Sequence, residues 1–421
     1  MHWGPMYRKT VLDNGVRILS ERIPHVRSIS IGAWVRSGSR YETPETNGMA
    51  HFIEHMLFKG TRSRTAFEIA SLIDSVGGLM NAVTGKEWTS FYLKIPGDHL
   101  GLSIDLLSDI LNRSLFDDEE IRKEKLVVLQ EIHMLEDSPG EYIHDLFEEH
   151  FWRVHPLGRP VLGTCGSVET FVRDSILRFF RARFGGDGLI VAAAGCLDHE
   201  LLVRRLADSF SGLPGTVAGD SCTKPHPERT VVVREKDLEQ VHLVLGSAAP
   251  SSTDPKRFAG FVLNAALGGN MSSMLFQEIR ENRGLAYSIY SYLNSYADAG
   301  MVGIYAGVDR GNFQEVLDLI HASVRHMVCG HLTEEALVRA KESLKGSFLL
   351  SLESTDNRMS RLARNEVHFG RLVPAEETLA RIDSVSAEDV RSLAEEMFDP
   401  RMLSIGVIGP LSEGEVALPP Y

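Results

Sequence analysis

His51-Phe52-Ile53-Glu54-His55 sets two imidazoles four residues apart, on one face of a helix and about one turn from each other. Two neutral ring nitrogens so placed can bind a single Zn²⁺. Glu54, beside the second imidazole, can reach a water on the same metal and take its proton. The order His-x-x-Glu-His inverts the commoner zinc-peptidase pattern. The plain alternative is a histidine pair and a solvated glutamate on an amphipathic helix. A catalytic zinc also asks for a third protein ligand and one open position. The helix predicted over Asp118–Leu135 offers Glu124 and Glu131, seven residues apart and so two turns apart on one face. Spacing alone reads both equally well as solvated positions on an acidic helix.

The elements that must carry these groups are legible as periodicities. Val16–Ile23 and Ser28–Val35 alternate as strands do. The histidine helix is entered at Asn47-Gly48 and ends at Gly60, and Thr65–Val76 reads as a second helix. Leu79–Thr84 and Glu87–Ile95 read as a β-hairpin about Gly85-Lys86. Asp98–Asn112 has helical spacing, and Asp117-Asp118-Glu119-Glu120 puts acidic groups at the start of the next helix, where the dipole favours them. Helices over Glu141–Phe151 and Val168–Phe184 precede a buried strand, Gly188–Leu197.

The second half repeats this plan at an offset of roughly 210 to 215 residues. Thr333-Glu334-Glu335 answers Asp118-Glu119-Glu120, Ser404–Gly409 answers Ile190–Gly195, and Ser384–Phe398 answers Ser167–Phe184. The stretch answering the histidine pair, near Phe258–Gly269, holds no His or Glu. The expected architecture is therefore α+β, with two duplicated domains, each a mainly antiparallel sheet packed with helices. Residues 1–213 form the zinc-binding domain, 214–228 a Pro/Gly/Ser/Thr-rich linker, and 229–421 a second domain without the metal site.

With 421 residues, 43% apolar and 24% charged, the chain has the composition of a soluble globular protein. A net charge of −13 argues against nucleic acid and anionic membranes as partners. Cys165, Cys196, Cys222 and Cys329 are scattered without a Cys-x-x-Cys pair, which fits a reducing compartment. Cys196, in the apolar run Leu189–Leu197, reads as a core thiol. Neither a signal peptide nor a membrane span is evident, so a cytoplasmic location is expected. No glycine-rich phosphate loop or Gly-x-Ser-x-Gly elbow supports another hydrolytic chemistry.

The stretch NGMAHFIEHMLFKGT, Asn47–Thr61, resembles the active-site segment of the pitrilysin family, which includes insulin-degrading enzyme and mitochondrial processing peptidase. The resemblance extends over both halves. It implies the inverted-motif metallopeptidase fold, one Zn²⁺ per chain on His51, His55 and Glu131, and Glu54 as the catalytic base. Glu131 lies 76 residues past His55, as the family pattern asks, within a matching run Lys123–Ile132. It also implies an accessory role for Glu124. The Leu79–Ile95 hairpin, otherwise an ordinary strand pair, becomes a substrate-binding edge, with Asn81, Ala82 and Val83 matching the strand that takes an extended peptide by β-addition. Arg280 and Tyr287, in Arg280–Tyr287 (RENRGLAY), otherwise a surface cation and a half-buried phenol, match a pair that holds substrate and stabilises the oxyanion. Relatives that fuse two such halves are about twice as long, so the resemblance implies a homodimer, or a heterodimer, with this pair acting on the partner's zinc. The expected activity is zinc endopeptidase cleavage of extended peptides. The alternative is a non-catalytic peptide-binding or scaffolding subunit of a heteromeric processing peptidase.

Overall fold

The structure, a computed structural model, describes residues 6–213, 215 and 223–416. Six strands form the first sheet: β1 (Met6–Val11), β2 (Arg17–Arg22), β3 (Ser28–Val35), β4 (Leu79–Thr84), β5 (Thr89–Pro96) and β6 (Leu189–Gly195). Their order is β1-β2-β6-β3-β5-β4. Five more form the second: β7 (Val231–Glu235), β8 (Gln240–Ala249), β9 (Ala286–Ser295), β10 (Gly300–Asp309) and β11 (Ser404–Gly409), in the order β7-β11-β8-β10-β9. Each sheet has one parallel pair, β2 with β6 and β7 with β11, and is otherwise antiparallel. Apart from the extra β1, one order maps onto the other strand for strand. The duplication read from the sequence is thus a duplication of topology.

Both faces of each sheet are covered, which is why strands such as β6 are continuously apolar rather than alternating. Val191 and Ala193 of β6 join Ile31, Phe91 and the helix Met49–Leu57 on one side. Ile190, Ala192 and Ala194 meet Met359, Leu362 and Ala363 of the helix Thr355–Phe369 on the other. That helix is also held by polar contacts, Lys94 to Asp356 at 2.7 Å, Lys9 to Glu366 at 2.7 Å, and Arg358 to the buried Glu21. In the second sheet, Leu243, Leu245, Val302 and Ile304 pack with the helices Arg257–Leu267 and Phe313–Val328. Val244 and Ile408 face Ile143, Phe147 and Phe151 of the helix Pro139–Trp152.

The compact units are consequently not the contiguous halves 1–213 and 229–421. One gathers the chain through His133 with Arg159–Cys222 and Leu350–Leu372; the other gathers Met134–Gly158, Thr223–Leu349 and the chain from Val373 onward. The reason is the uncovered face each sheet would otherwise present: a helix from the first half of the chain covers the second sheet, and one from the second half covers the first. Amphipathic periodicity shows that a helix has an apolar face but not which sheet it covers. Of the expected linker, Pro214 and residues 216–222 lie outside the described residues, as does Cys222.

Three local expectations are corrected. The helix expected over Val168–Phe184 is two, Cys165–Thr170 and Arg173–Arg183. Phe171 leaves the helix with an extended backbone and is buried, its ring 5.5 Å from that of Phe52. The hairpin turn is four residues, since Thr84 pairs with Thr89. Cys196 is exposed, because β6 ends at Gly195 and the chain turns out of the sheet there. Among the described residues no helix is long and apolar enough to cross a membrane.

Gly246 of β8 shows how closely the helix Pro139–Trp152 sits on the second sheet. A Cβ there would lie 2.7 Å from Phe147 Cζ and from the Val302 carbonyl oxygen. Gly246→Ala is expected to lower stability by about 1–3 kcal/mol through overpacking. Adding Phe147→Leu should recover part of that loss in denaturant titrations.

Candidate metal centre

The helix Met49–Leu57 is buried on most of its surface, with Met49, Ala50, Phe52, Ile53, Met56 and Leu57 all inside. Apolar packing therefore fixes its rotation, and the remaining side presents His51, Glu54 and His55. Its first turn has no side-chain cap from the residue just before it. Glu42, eight residues before Ala50 in the chain and buried, takes that role. Its carboxylate accepts the N–H groups of Gly48 (2.7 Å) and Ala50 (2.8 Å) and the Asn47 side-chain amide (3.1 Å). The two backbone N–H groups stand at the positive end of the helix, where no intrahelical partner is available to them. Burial pushes the Glu42 carboxyl up to about 7, against the pull of these donors and the Arg159 cation.

The helix Asp118–Glu136 is capped by Asp117 Oδ1, which accepts the Glu119 N–H at 2.9 Å. It buries Ile121, Glu124, Val128 and Ile132 along one stripe, which turns Glu131 toward the histidines. Glu131 Oε2 lies 3.8 Å from His51 Nε2 and 3.7 Å from His55 Nε2. The two imidazoles stand 4.5 Å apart, centroid to centroid, at 62°. Donor atoms of all three residues lie within 4.8 Å of one another, and among the described residues this is the one such cluster.

The donors fit a single metal ion. Ligands at tetrahedral Zn²⁺ distances lie about 3.4 Å from each other, close to the separations found. Glu131 Oε2 is buried and has no hydrogen-bond partner among the described residues, an arrangement that is costly without a cation. Two neutral nitrogens and one carboxylate oxygen are the donor types of a catalytic zinc site, leaving one position open.

Electrostatics prepare each group differently. Burial, then the neighbouring His55, bring His51 down to about 4, so its ring is neutral at any ordinary pH. For His55 burial pulls the same way, but it is outweighed by the hydrogen bond to Glu124 and the nearby carboxylates, and the net shift is upward. His55 Nδ1 meets Glu124 Oε1 at 2.7 Å, and Lys59 Nζ holds the other oxygen of that carboxylate at 2.6 Å. Burial would raise Glu124, yet His55 and Lys59 together hold it below the usual carboxylate range. An ionised Glu124 accepts the Nδ1 proton and leaves His55 Nε2 free to bind metal. The Nδ1 of His51 has no such partner among the described residues.

Glu54 accepts a hydrogen bond from the Thr84 hydroxyl, at the last residue of β4. Burial raises its carboxyl above the ordinary value, only partly offset by that bond. β4 is the terminal strand of its sheet, paired with β5 on one side alone among the described strands. It carries Asn81, Ala82 and Val83, with Val83 53% exposed. The strand and the histidine helix thus meet at Thr84 and Glu54.

Arg280 and Tyr287 belong to the second unit. Arg280 lies on a π-helical turn, Phe276–Glu281, and its guanidinium stands 5.3 Å from the centre of the Tyr287 ring and 4.8 Å from that of Phe276. Tyr287 is the extra residue of a β-bulge, since Ala286 and Ser288 pair with consecutive residues of β10. It is 80% exposed rather than half-buried. Bulges re-aim side chains in this way. The sequence reading missed Glu42, Lys59 and Thr84. Lys59 stood within the motif, whereas no local pattern marks Glu42 or Thr84 as partners of this helix.

Comparison with known proteins places the chain in a family. Residues 17–165 match the model of Insulinase (Peptidase family M16), and residues 170–344 that of the Peptidase M16 inactive domain. The chain is 42% identical to an uncharacterized zinc protease of Streptomyces coelicolor, covering 97% of this chain and 91% of that one. It is 38% identical to the uncharacterized zinc protease YmxG of Bacillus subtilis, over 93% and 96%. It is similar in fold to the crystal structure of a protease from Helicobacter pylori, with a TM-score of 0.89, 21% identity, and coverage of 96% and 100%. Both family models are of peptidase M16, and both of these sequence relatives are named zinc proteases. The chain belongs to the peptidase M16 family.

Two outcomes are expected of the site. Metal binds neutral imidazole, and of the two imidazoles only His55 is held above its ordinary value, by Glu124 and the nearby carboxylates. Zn²⁺ affinity should therefore fall about tenfold per pH unit below the His55 titration, one proton rather than two; competition with a chelator from about pH 7.5 down to 5.5 measures this slope. Glu124→Gln should weaken Zn²⁺ binding about 10- to 100-fold in the same assay.

Proposed function

We propose that this protein is a zinc-dependent endopeptidase acting on extended or unfolded peptides. The observation that carries the reading is the convergence of His51, His55 and Glu131 beside a base, Glu54, tied to the end of an open edge strand. Held by these three residues, Zn²⁺ supplies Lewis-acid chemistry, acidifying water and polarising a peptide carbonyl. Glu54 accepts the proton of the attacking water and returns it to the amide nitrogen as the C–N bond breaks. Its raised carboxyl suits both steps, and the Thr84 hydroxyl fixes its direction. Glu124 and Lys59 keep His55 in the binding tautomer. Asn81, Ala82 and Val83 present the backbone edge along which a substrate adds as a strand. Main-chain hydrogen bonding of that kind binds peptides with little regard to side chains, and requires them extended.

Arg280 and Tyr287 supply a cation and a phenol as donors to substrate and to the developing oxyanion. Chains of this length pair as homodimers in this reading, each unit's Arg280 and Tyr287 serving the partner's zinc. The curated relatives, matched over 91% and 96% of their length, are of similar size.

Glu54→Gln is expected to retain one Zn²⁺ per chain and lose about 10³-fold or more in turnover of a quenched unstructured peptide. Zinc with wild-type turnover would remove Glu54 from the reaction, and a zinc-loaded native chain that cleaves nothing would point to a peptide-binding subunit. Mixing Glu54→Gln chains with Arg280→Ala/Tyr287→Phe chains tests pairing. Sites completed across a dimer regain activity on mixing; sites complete within one chain do not.

A further inference from the structure

The segment between β3 and the histidine helix makes two sets of contacts that no motif foretells. At one end it grips the turn of the β4–β5 hairpin. Arg40 donates its backbone N–H to the Lys86 carbonyl at 2.8 Å and its guanidinium to Glu87 at 2.7 Å. Both side chains of that ion pair are buried, 3% and 8% exposed. Thr89, opposite Thr84 at the head of β5, donates to the Ser37 carbonyl at 2.9 Å. Gly38 lies so close to the turn that a Cβ would stand 2.5 Å from the carbonyl oxygens of Gly85 and Lys86. Lys86 also donates to the Arg159 carbonyl at 2.8 Å, and Arg159 donates in turn to the Glu42 carbonyl. At its other end the segment holds the start of the histidine helix, through the Gly48 and Ala50 N–H groups that Glu42 accepts. Arg40 and Glu42 flank Tyr41 at the end of one short 3₁₀ turn, Ser39–Tyr41.

We infer that residues 37–47 are a rigid strut fixing the substrate strand against the metal helix, with Arg40 and Glu42 as its positioning residues. The inference rests on the peptidase reading above. A buried ion pair is weak evidence of stabilisation, since well-packed apolar residues often do as well; what it fixes here is a distance. A strand that delivers a carbonyl to a metal must be placed to within a fraction of an ångström, and a displacement of about 1 Å can cost 10²-fold in rate. The Thr84–Glu54 bond joins strand and helix at the site itself. The strut joins them a second time behind it, so strand and helix are held together at two separate places.

The two ends separate experimentally. Glu87→Gln keeps the shape of the turn and removes the charge. It is expected to leave Zn²⁺ affinity unchanged and to lower kcat/KM at least tenfold for an unstructured peptide of about a dozen residues, long enough to pair along β4. Turnover of a blocked tripeptide amide, too short to use the strand, should hold. Glu42→Asp draws the carboxylate back by one methylene. It should weaken Zn²⁺ binding about tenfold, read by chelator competition, with KM for the long peptide unchanged. If Glu87→Gln folds poorly, Arg40→Met/Glu87→Leu keeps the buried volume, and the same loss confined to the long substrate is expected. Equal effects on both substrates, or on neither, would overturn the strut, as would wild-type Zn²⁺ affinity in Glu42→Asp. A wild-type chain that cleaves neither substrate defeats the peptidase reading instead, and the Glu42→Asp zinc competition still decides the helix end of the strut.

Discussion

Three donor atoms from two helices must meet around one point with their lone pairs directed inward, and most of the first unit can be understood as the means of holding them there. Two of the donors come from one helix, where the four-residue spacing alone sets them side by side. The third comes from a helix far along the chain, and it arrives only because Ile121, Val128 and Ile132 are buried and turn Glu131 to the correct side. Gathering these groups without a cation is unfavourable. A buried carboxylate oxygen stands without a hydrogen-bond partner among the described residues, and His51 is held neutral by burial. A cation is the interaction that this donor set calls for.

Around that centre the support is unequal. His55 has a partner for its distal nitrogen, Glu124, which is itself clamped by Lys59. His51 lacks one among the described residues and depends on the packing of its helix. A chain of buried polar contacts, each with a satisfied partner, fixes direction more sharply than apolar packing does. Glu42 extends this support to the first turn of the helix, so the two imidazoles are held from both ends.

The second unit repeats the strand order without the donors: its helix Arg257–Leu267 carries neither His nor Glu and is mostly buried. The scaffold and the chemistry are therefore separable, as is common where sites are grafted onto folds. What the second unit presents instead is a half-buried cation against an exposed phenol, at a π-turn and a bulge, irregularities that aim side chains out of regular elements.

Much of this was legible in the residues. The histidine pair and its adjacent base follow from helical periodicity, and the strands and most helices follow from period-two and period-3.6 patterns. The duplication follows from an offset that recurs along the chain. Glu131 was one of two candidates by spacing, and a family resemblance singled it out. Three things were not legible, each because it depends on contacts distant in sequence. Helices Pro139–Trp152 and Thr355–Phe369 each cover the sheet of the other half, and an apolar stripe does not name the surface it will meet. Phe171 breaks an otherwise helical run because its ring is needed against Phe52. Glu42, Arg40 and Thr84 gain their roles from partners that only folding brings near. The sequence by itself determined which groups could do chemistry and on which elements they ride, because local spacing and burial periodicity are properties of the chain. Tertiary structure alone decided how those groups are held, because a hydrogen bond between remote residues leaves no periodic trace.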